Sequence, residues 1–132
     1  MDKLPFKVIK TKQQKELYAI SNNEFGEHML NLQVKFSDGP MGRTAISYWD
    51  LLYIDYFETG KKGYEELILY TSALRILIEG YGLKKIFEAI SRRQLTLLDI
   101  SPEEVENPKE HDVYVRNILT FEREAVQETK RG

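Results

Sequence analysis

The chain has 132 residues, of which 42% are hydrophobic and 30% charged, with a formal net charge of −2 at pH 7. This size and composition are far from those of disordered or membrane proteins and predict one domain spanning residues 1–132, and no apolar run is long enough to cross a membrane. The absence of cysteine excludes disulfides, thiolate metal sites and cysteine nucleophiles. Residues 1–5 lack the apolar core of a signal peptide, so we expect a cytoplasmic protein.

Charge alternates in bands along the chain. Residues 1–15 and 61–93 are net positive, whereas residues 16–60 and 94–132 are net negative. No band is basic enough to predict a nucleic-acid-binding arm, so we expect the bands to meet one another within the fold or across an oligomer.

The first third of the chain carries the pattern of β-strands. Apolar and polar residues alternate over residues 28–36, as expected of a strand with one buried face, and a cluster of turn-forming residues follows at 37–42. Two shorter β-prone runs precede it, at residues 6–9 and 17–20. Together these runs predict an antiparallel β-meander in a β-rich region that spans residues 1–48.

Residues 43–57 fit two patterns. Alternation over Thr44, Ile46 and Tyr48 favours a strand, whereas the spacing of Ile46, Trp49, Tyr53 and Tyr56 also matches one face of a helix. We predict a strand to about residue 48, followed by a helix or an extended aromatic segment to about residue 57.

The second half of the chain predicts helices over residues 64–130. Residues 64–79 begin with two glutamates and end before Gly80, and residues 83–94 carry an apolar stripe. A short apolar run, 95–100, predicts a strand or buried connector, and Pro108 predicts the start of a long terminal helix over 108–130. The predicted fold is therefore α+β, with the N-terminal antiparallel meander packed against three or four C-terminal helices.

Motifs for catalysis or for cofactor binding are missing from the sequence. His28 and His111 are the only histidines, and they do not have the spacing of a metal site. No nucleophile elbow or phosphate-binding loop is present, and the Gly-Lys-Lys-Gly run at residues 60–63 lacks the spacing of one. We therefore predict no metal, no cofactor, no catalytic residue and no enzymatic activity.

An aromatic band between residues 48 and 64 is the strongest functional signal. Tyrosine, tryptophan and arginine carry much of the binding energy at protein interfaces, although a core role for these aromatic residues is the alternative. Lysines and arginines between residues 84 and 93 supply a second candidate surface, on the side of a helix opposite its apolar stripe. The predicted partner-binding residues are Trp49, Tyr53, Tyr56, Tyr64, Lys85 and Arg92.

These observations predict a small non-enzymatic protein that binds another protein and regulates or inhibits it, or that self-associates in doing so. Such a profile is typical of small proteins encoded by phages and other mobile elements. One alternative is an oligomeric sponge that sequesters a nucleotide-like ligand with Arg75, Arg92, Arg93 and Arg116. Two others are an accessory protein that binds nucleic acid and an enzyme that uses His111 with acidic residues.

Overall fold

The computed structural model describes residues 16–36 and 39–123, and these residues are mostly β-sheet, at 49% strand and 14% helix. One α-helix, α1, spans Leu83–Ser91, and two short 3-10 turns span Tyr48–Asp50 and Pro108–Glu110. The eight strands are β1 (Tyr18–Ile20), β2 (Met29–Lys35), β3 (Met41–Ser47), β4 (Leu51–Phe57), β5 (Glu65–Thr71), β6 (Leu74–Tyr81), β7 (Leu95–Leu98) and β8 (Tyr114–Glu122).

All eight strands belong to one sheet, which curls into a half-barrel. The strand order is β1-β7-β2-β8-β6-β5-β4, and β3 pairs with the other edge of β2. Strand β2 runs parallel to both β7 and β8, and the remaining pairs are antiparallel. The edge strands are therefore β1, β3 and β4, and β3 and β4 are consecutive in the chain and joined by the Tyr48–Asp50 turn.

Helix α1 contacts β4, β5 and β7 and closes the core on the inner face of the sheet. Its buried Leu83, Ile86 and Ile90 join a cluster that includes Leu67 and Ile78 of the sheet. The carboxylate of Glu65 accepts hydrogen bonds from the backbone N–H groups of Gly82 and Leu83, at 3.0 and 2.9 Å. A carboxylate at this position accepts hydrogen bonds from N–H groups that the first helical turn leaves unpaired, and its negative charge interacts favourably with the positive end of the helix dipole.

The predicted helix over residues 64–79 is wrong, because this segment forms the β5–β6 hairpin. Both faces of these strands carry apolar residues, and a short run of that kind cannot be distinguished from a buried helix by periodicity. The turn residues supply a local signal. The Thr71 hydroxyl accepts a hydrogen bond from the backbone N–H of Leu74 at 2.9 Å and reverses the chain there.

The predicted terminal helix over 108–130 is also wrong within residues 108–123, where a 3-10 turn and strand β8 are found. Residues 124–130 lie outside the described part of the chain. A β-bulge explains the misleading spacing. Glu79 pairs with Asn117 and Gly80 with Val115, so Arg116 is an extra residue and the buried Val115 and Ile118 lie three apart, as on a helix.

The predicted α+β class is therefore corrected to a mainly β fold with one α-helix in the described residues. The strand expected at 28–36 and the helix expected at 83–94 correspond to β2 and α1. The expected meander is replaced by a different pairing, because β1 pairs with β7. Residues 49–57 form the end of a 3-10 turn and strand β4, and the β-prone run at 6–9 lies outside the described residues.

Across residues 16–36 and 39–123, no helix has both the length and the apolar character required to cross a membrane.

Candidate functional site

Large apolar side chains that face solvent gather around the turn between β3 and β4. Among the large apolar side chains of the described residues, the three most exposed are Phe25 at 79%, Trp49 at 71% and Leu52 at 56%. Trp49 lies in the turn, Leu52 is the second residue of β4, and Phe25 lies in the loop before β2. Together with Arg93, which links Trp49 to Phe25, these residues form what we call the Trp49 patch. Exposed apolar clusters of this kind mark interaction sites on protein surfaces.

The turn directs Trp49 outward because its neighbour Tyr48 is anchored in the core. Tyr48 is buried, its hydroxyl donates to the carbonyl of Leu95, and its backbone N–H donates to the carbonyl of His28 at 2.9 Å. Burial raises the pKa of the Tyr48 hydroxyl well above its usual value, so it stays a donor in this bond. Ser47 caps the turn by accepting a hydrogen bond from the backbone N–H of Trp49 at 3.1 Å.

Arg93 connects the two aromatic members of the patch. Its guanidinium lies 5.0 Å from the centroid of the Trp49 ring and donates a hydrogen bond of 2.8 Å to the carbonyl of Phe25. The loop that carries Phe25 packs tightly on this arginine, because a Cβ added to Gly26 would lie 2.9 Å from the Arg93 Cβ. The cation–π contact and the hydrogen bond hold the patch in one arrangement.

The backbone of Arg93 is strained. Its φ of 57° lies in the left-handed region, and it follows Arg92, the C-cap of α1, at a position where helices commonly place glycine. A non-glycine residue there costs about 1 kcal/mol. The left-handed residue closes the helix, because the Gln94 N–H donates to the Ala89 carbonyl at 2.8 Å and the Arg93 N–H donates to the Ile90 carbonyl at 2.9 Å. Glycine could close the helix equally well, so what the arginine adds at this position is a side chain that contacts Trp49 and Phe25.

Strand β4 extends the patch along an unpaired sheet edge. It pairs only with β5 among the described strands, and its register shifts between Leu51 and Tyr53, so Leu52 lies in a bulge. Tyr53 and Phe57 are also exposed on this strand. An edge strand with apolar side chains presents free backbone groups to another chain.

The structure separates the six residues predicted to bind a partner. Trp49 lies in the patch, Arg92 is exposed next to Arg93, and Tyr53 follows Leu52 and stacks on Tyr70 with 4.3 Å between ring centroids. These three lie in or beside the patch.

The other three predicted residues lie elsewhere. Tyr56 faces α1, where its ring stacks on that of Phe87 with 5.7 Å between centroids. Its hydroxyl donates a hydrogen bond to the Glu65 carboxylate at 3.0 Å. Burial and this carboxylate raise the pKa of Tyr56 to about 12. Tyr64 lies on the outer face of the sheet, under the guanidinium of Arg116. Lys85 lies on α1, in a separate cluster with Tyr18 and Asp112.

Sequence reasoning missed Phe25 and Leu52 as members of the site, and it assigned Arg93 to a basic helix face. An aromatic residue inside a run of turn formers, residues 21–26, is the signal that points to Phe25. The contact between Arg93 and Trp49 joins residues 44 positions apart and has no local signal.

Lys85, Tyr18 and Asp112 are residue types found in catalytic sites, but here they hydrogen-bond to one another. Lys85 donates to both the Tyr18 hydroxyl and the Asp112 carboxylate at 2.9 Å, and the Tyr18 hydroxyl donates to the same carboxylate. Hydrogen bonds with Tyr18 and Asp112 raise the pKa of Lys85, and those from Tyr18 and Lys85 lower the pKa of Asp112. The three hydrogen bonds link β1, α1 and the segment before β8.

Replacing Asp112 with Asn should therefore lower the free energy of unfolding by an amount that depends on pH. Because the folded pKa of Asp112 lies below its usual 3.8, its contribution is present above that pH and is lost as pH falls through the folded value. The difference between wild type and D112N, measured by urea unfolding, should be constant from about pH 7 to pH 5 and vanish in stronger acid. Glu110→Gln, which removes an exposed carboxylate nearby, is the control. An equal effect from E110Q would contradict a stabilising role for the hydrogen bonds of Asp112.

Within the described residues, no group of three or more histidine or acidic side chains is placed to hold a metal ion. His28 is exposed at the start of β2, and the His111 ring lies 3.0 Å from the carbonyl of Glu106. The two histidines therefore do not share a site. Comparison with protein-family models, curated proteins and solved structures finds no match to this chain.

Proposed function

We propose that the protein works by binding another protein through the Trp49 patch, and that this binding regulates or inhibits the partner. The observation that carries the proposal is Arg93, an arginine with a left-handed backbone whose side chain joins the exposed Trp49 to the loop of the exposed Phe25. Tryptophan and arginine are the residue types most enriched at interface hot spots. A pre-arranged Trp–Arg pair also reduces the ordering cost of association.

The surroundings of the patch suit a protein partner. Leu52, Tyr53 and Phe57 add exposed apolar area along β4, and the unpaired backbone of this strand can accept a strand from the partner. Partner binding at an exposed sheet edge combines backbone hydrogen bonds with side-chain contacts to alternate residues.

Replacing Arg93 with Gly tests the proposal, because it should separate binding from folding. Glycine adopts a φ of 57° without strain, so the gain of about 1 kcal/mol partly offsets the lost cation–π contact and the lost hydrogen bond to the Phe25 carbonyl, and the free energy of unfolding should fall by no more than about 2 kcal/mol. Affinity for the partner should fall at least tenfold, about 1.4 kcal/mol. The partner is first captured from cell lysate with wild-type protein, identified by mass spectrometry and purified, and its affinity is then measured by calorimetry.

Asn107→Gly is the matched control. Asn107 is the other described non-glycine residue with a positive φ, 49°, and it precedes the Pro108–Glu110 turn, away from the patch. This variant should bind like wild type. Equal affinity for R93G and wild type would contradict the proposal, as would capture of nucleic acid in place of protein.

A further inference from the structure

A cleft opens on the outer face of the sheet where two strands separate beside β2. Strand β2 pairs with β7 through Asn31 and Leu32 and with β8 through Lys35. Between these points, on the edge of β2 opposite β3, the side-chain oxygen of Gln33 accepts a hydrogen bond from the backbone N–H of Ile100 at 2.9 Å. Crevices between diverging strands are frequent ligand sites.

The cleft has a volume of about 700 Å³, within the range of roughly 300–1,000 Å³ of small-molecule sites. Its base is fixed by a reciprocal pair of bonds. The Ser101 N–H donates to the Val115 carbonyl at 2.8 Å, and the Val115 N–H donates to the Ser101 hydroxyl at 2.9 Å. Since Ser101 is buried, this connection holds the segment after β7 against β8 and keeps the cleft formed.

The polar groups of the cleft are mostly unused donors. Lys35 and Arg116 form no ion pair with a described carboxylate, and the guanidinium of Arg116 lies 3.2 Å from the Tyr64 hydroxyl and 5.0 Å from the Tyr64 ring centroid. The side-chain amide of Asn117 has no hydrogen-bond partner among the described residues. The side-chain oxygen of Gln33 accepts a hydrogen bond, and its NH₂ group donates none to a described residue. Two cations and two free amide NH₂ groups favour a ligand with a negative charge and further acceptors.

The remaining walls are suited to a flat ring. Met41, Ile100 and Pro102 line the cleft with apolar surface, and Tyr114 is a further lining residue whose ring stacks on that of Tyr81 with 6.0 Å between centroids. Heterocyclic bases stack favourably on tyrosine rings. Glu103 is the acidic residue of the lining; it disfavours a bare polyanion and can accept hydrogen bonds from sugar hydroxyls.

We propose that this cleft binds a mononucleotide. Lys35 and Arg116 bind the phosphate, Tyr114 stacks on the base, and the amides of Gln33 and Asn117 hydrogen-bond to acceptors on the ligand. Glu103 receives the ribose hydroxyls. The cleft is formed by residues other than those of the Trp49 patch, so this proposal is independent of the one above.

Calorimetric titration with AMP, GMP, CMP and UMP, with the four nucleosides and with inorganic phosphate tests the proposal. At least one nucleoside monophosphate should bind with a Kd below about 100 µM, and its nucleoside and phosphate alone should each bind at least tenfold more weakly. Lys35→Ala and Arg116→Ala should each weaken binding at least tenfold, because each removes a charge-assisted contact to the phosphate. Both residues are exposed, so the variants should stay folded, which circular dichroism checks.

Lys62→Ala, an equal charge change in the exposed loop before β5, should bind like wild type. The proposal is overturned if no monophosphate binds at a concentration of about 1 mM, far above the expected Kd. It is also overturned if phosphate alone binds as tightly as the nucleotide, or if folded K35A and R116A bind as wild type does.

Discussion

Replacing Gly80 with Ala should lower the free energy of unfolding by at least about 3 kcal/mol, a large share of the 5–15 kcal/mol that typical domains possess. Gly80 lies in β6 opposite the bulge of β8, and a Cβ at this position would overlap the carbonyl oxygen of Tyr114. The obstacle is backbone on a paired strand, so it cannot move as a flexible side chain would. Urea unfolding followed by circular dichroism measures the loss.

Gly39→Ala is the control for this prediction. A Cβ at Gly39 would have its nearest neighbour at 4.0 Å, an ordinary contact with Phe36, so the substitution should change the free energy of unfolding by less than about 0.5 kcal/mol. If G80A were as stable as G39A, the close approach of β6 to β8 at the bulge would be wrong.

Local patterns are sufficient to predict the elements that bury one face. In β2, Leu30, Leu32 and Val34 are fully buried and alternate with more exposed residues, so the period of two is visible in the sequence. In α1, Leu83, Ile86 and Ile90 are buried on one side of an otherwise exposed helix, and the period of 3.6 is equally clear.

The hairpin of β5 and β6 could not be predicted in this way. Ile68 and Tyr70 are half-buried on the outer face, while Leu67 and Leu69 are fully buried on the inner face. Because both faces carry large apolar side chains, apolar and polar residues do not alternate in the sequence. The segment is a strand because β4 and β8 supply hydrogen-bonding neighbours on both sides of the hairpin, and β8 lies more than 30 residues further along the chain. Strand pairing between residues so far apart in the sequence has no signal in a short stretch of neighbouring residues.

The candidate site was predictable to the same extent. The aromatic band marked Trp49 and Tyr53 by composition, but it could not show that Tyr48 faces the core while Trp49 faces solvent. That difference depends on the hydrogen bond from the Tyr48 hydroxyl to Leu95, a residue 47 positions away. The role of Arg93 depends in the same way on a contact made through the fold.

Replacing Trp49 with Ala should weaken partner binding by about 2–4 kcal/mol, which corresponds to roughly 30-fold to 1,000-fold in Kd. The loss is large because the ring is the largest exposed apolar surface in the patch and is already held by Arg93 in the free protein. The fold should lose no more than about 1 kcal/mol, because an exposed ring contributes little to the core beyond its cation–π contact.

The affinity of the W49A variant for the purified partner is the most direct measurement of whether the Trp49 patch is a binding site. Phe121→Ala is the matched control, since Phe121 is also exposed and its ring also lies near an arginine, with Arg75 at 4.9 Å from the ring centroid, but it belongs to β8, three strands away from β4. We expect at least a 30-fold loss of affinity for W49A and wild-type affinity for F121A, with both proteins folded. Wild-type affinity for a folded W49A, or an equal loss in both variants, would contradict it.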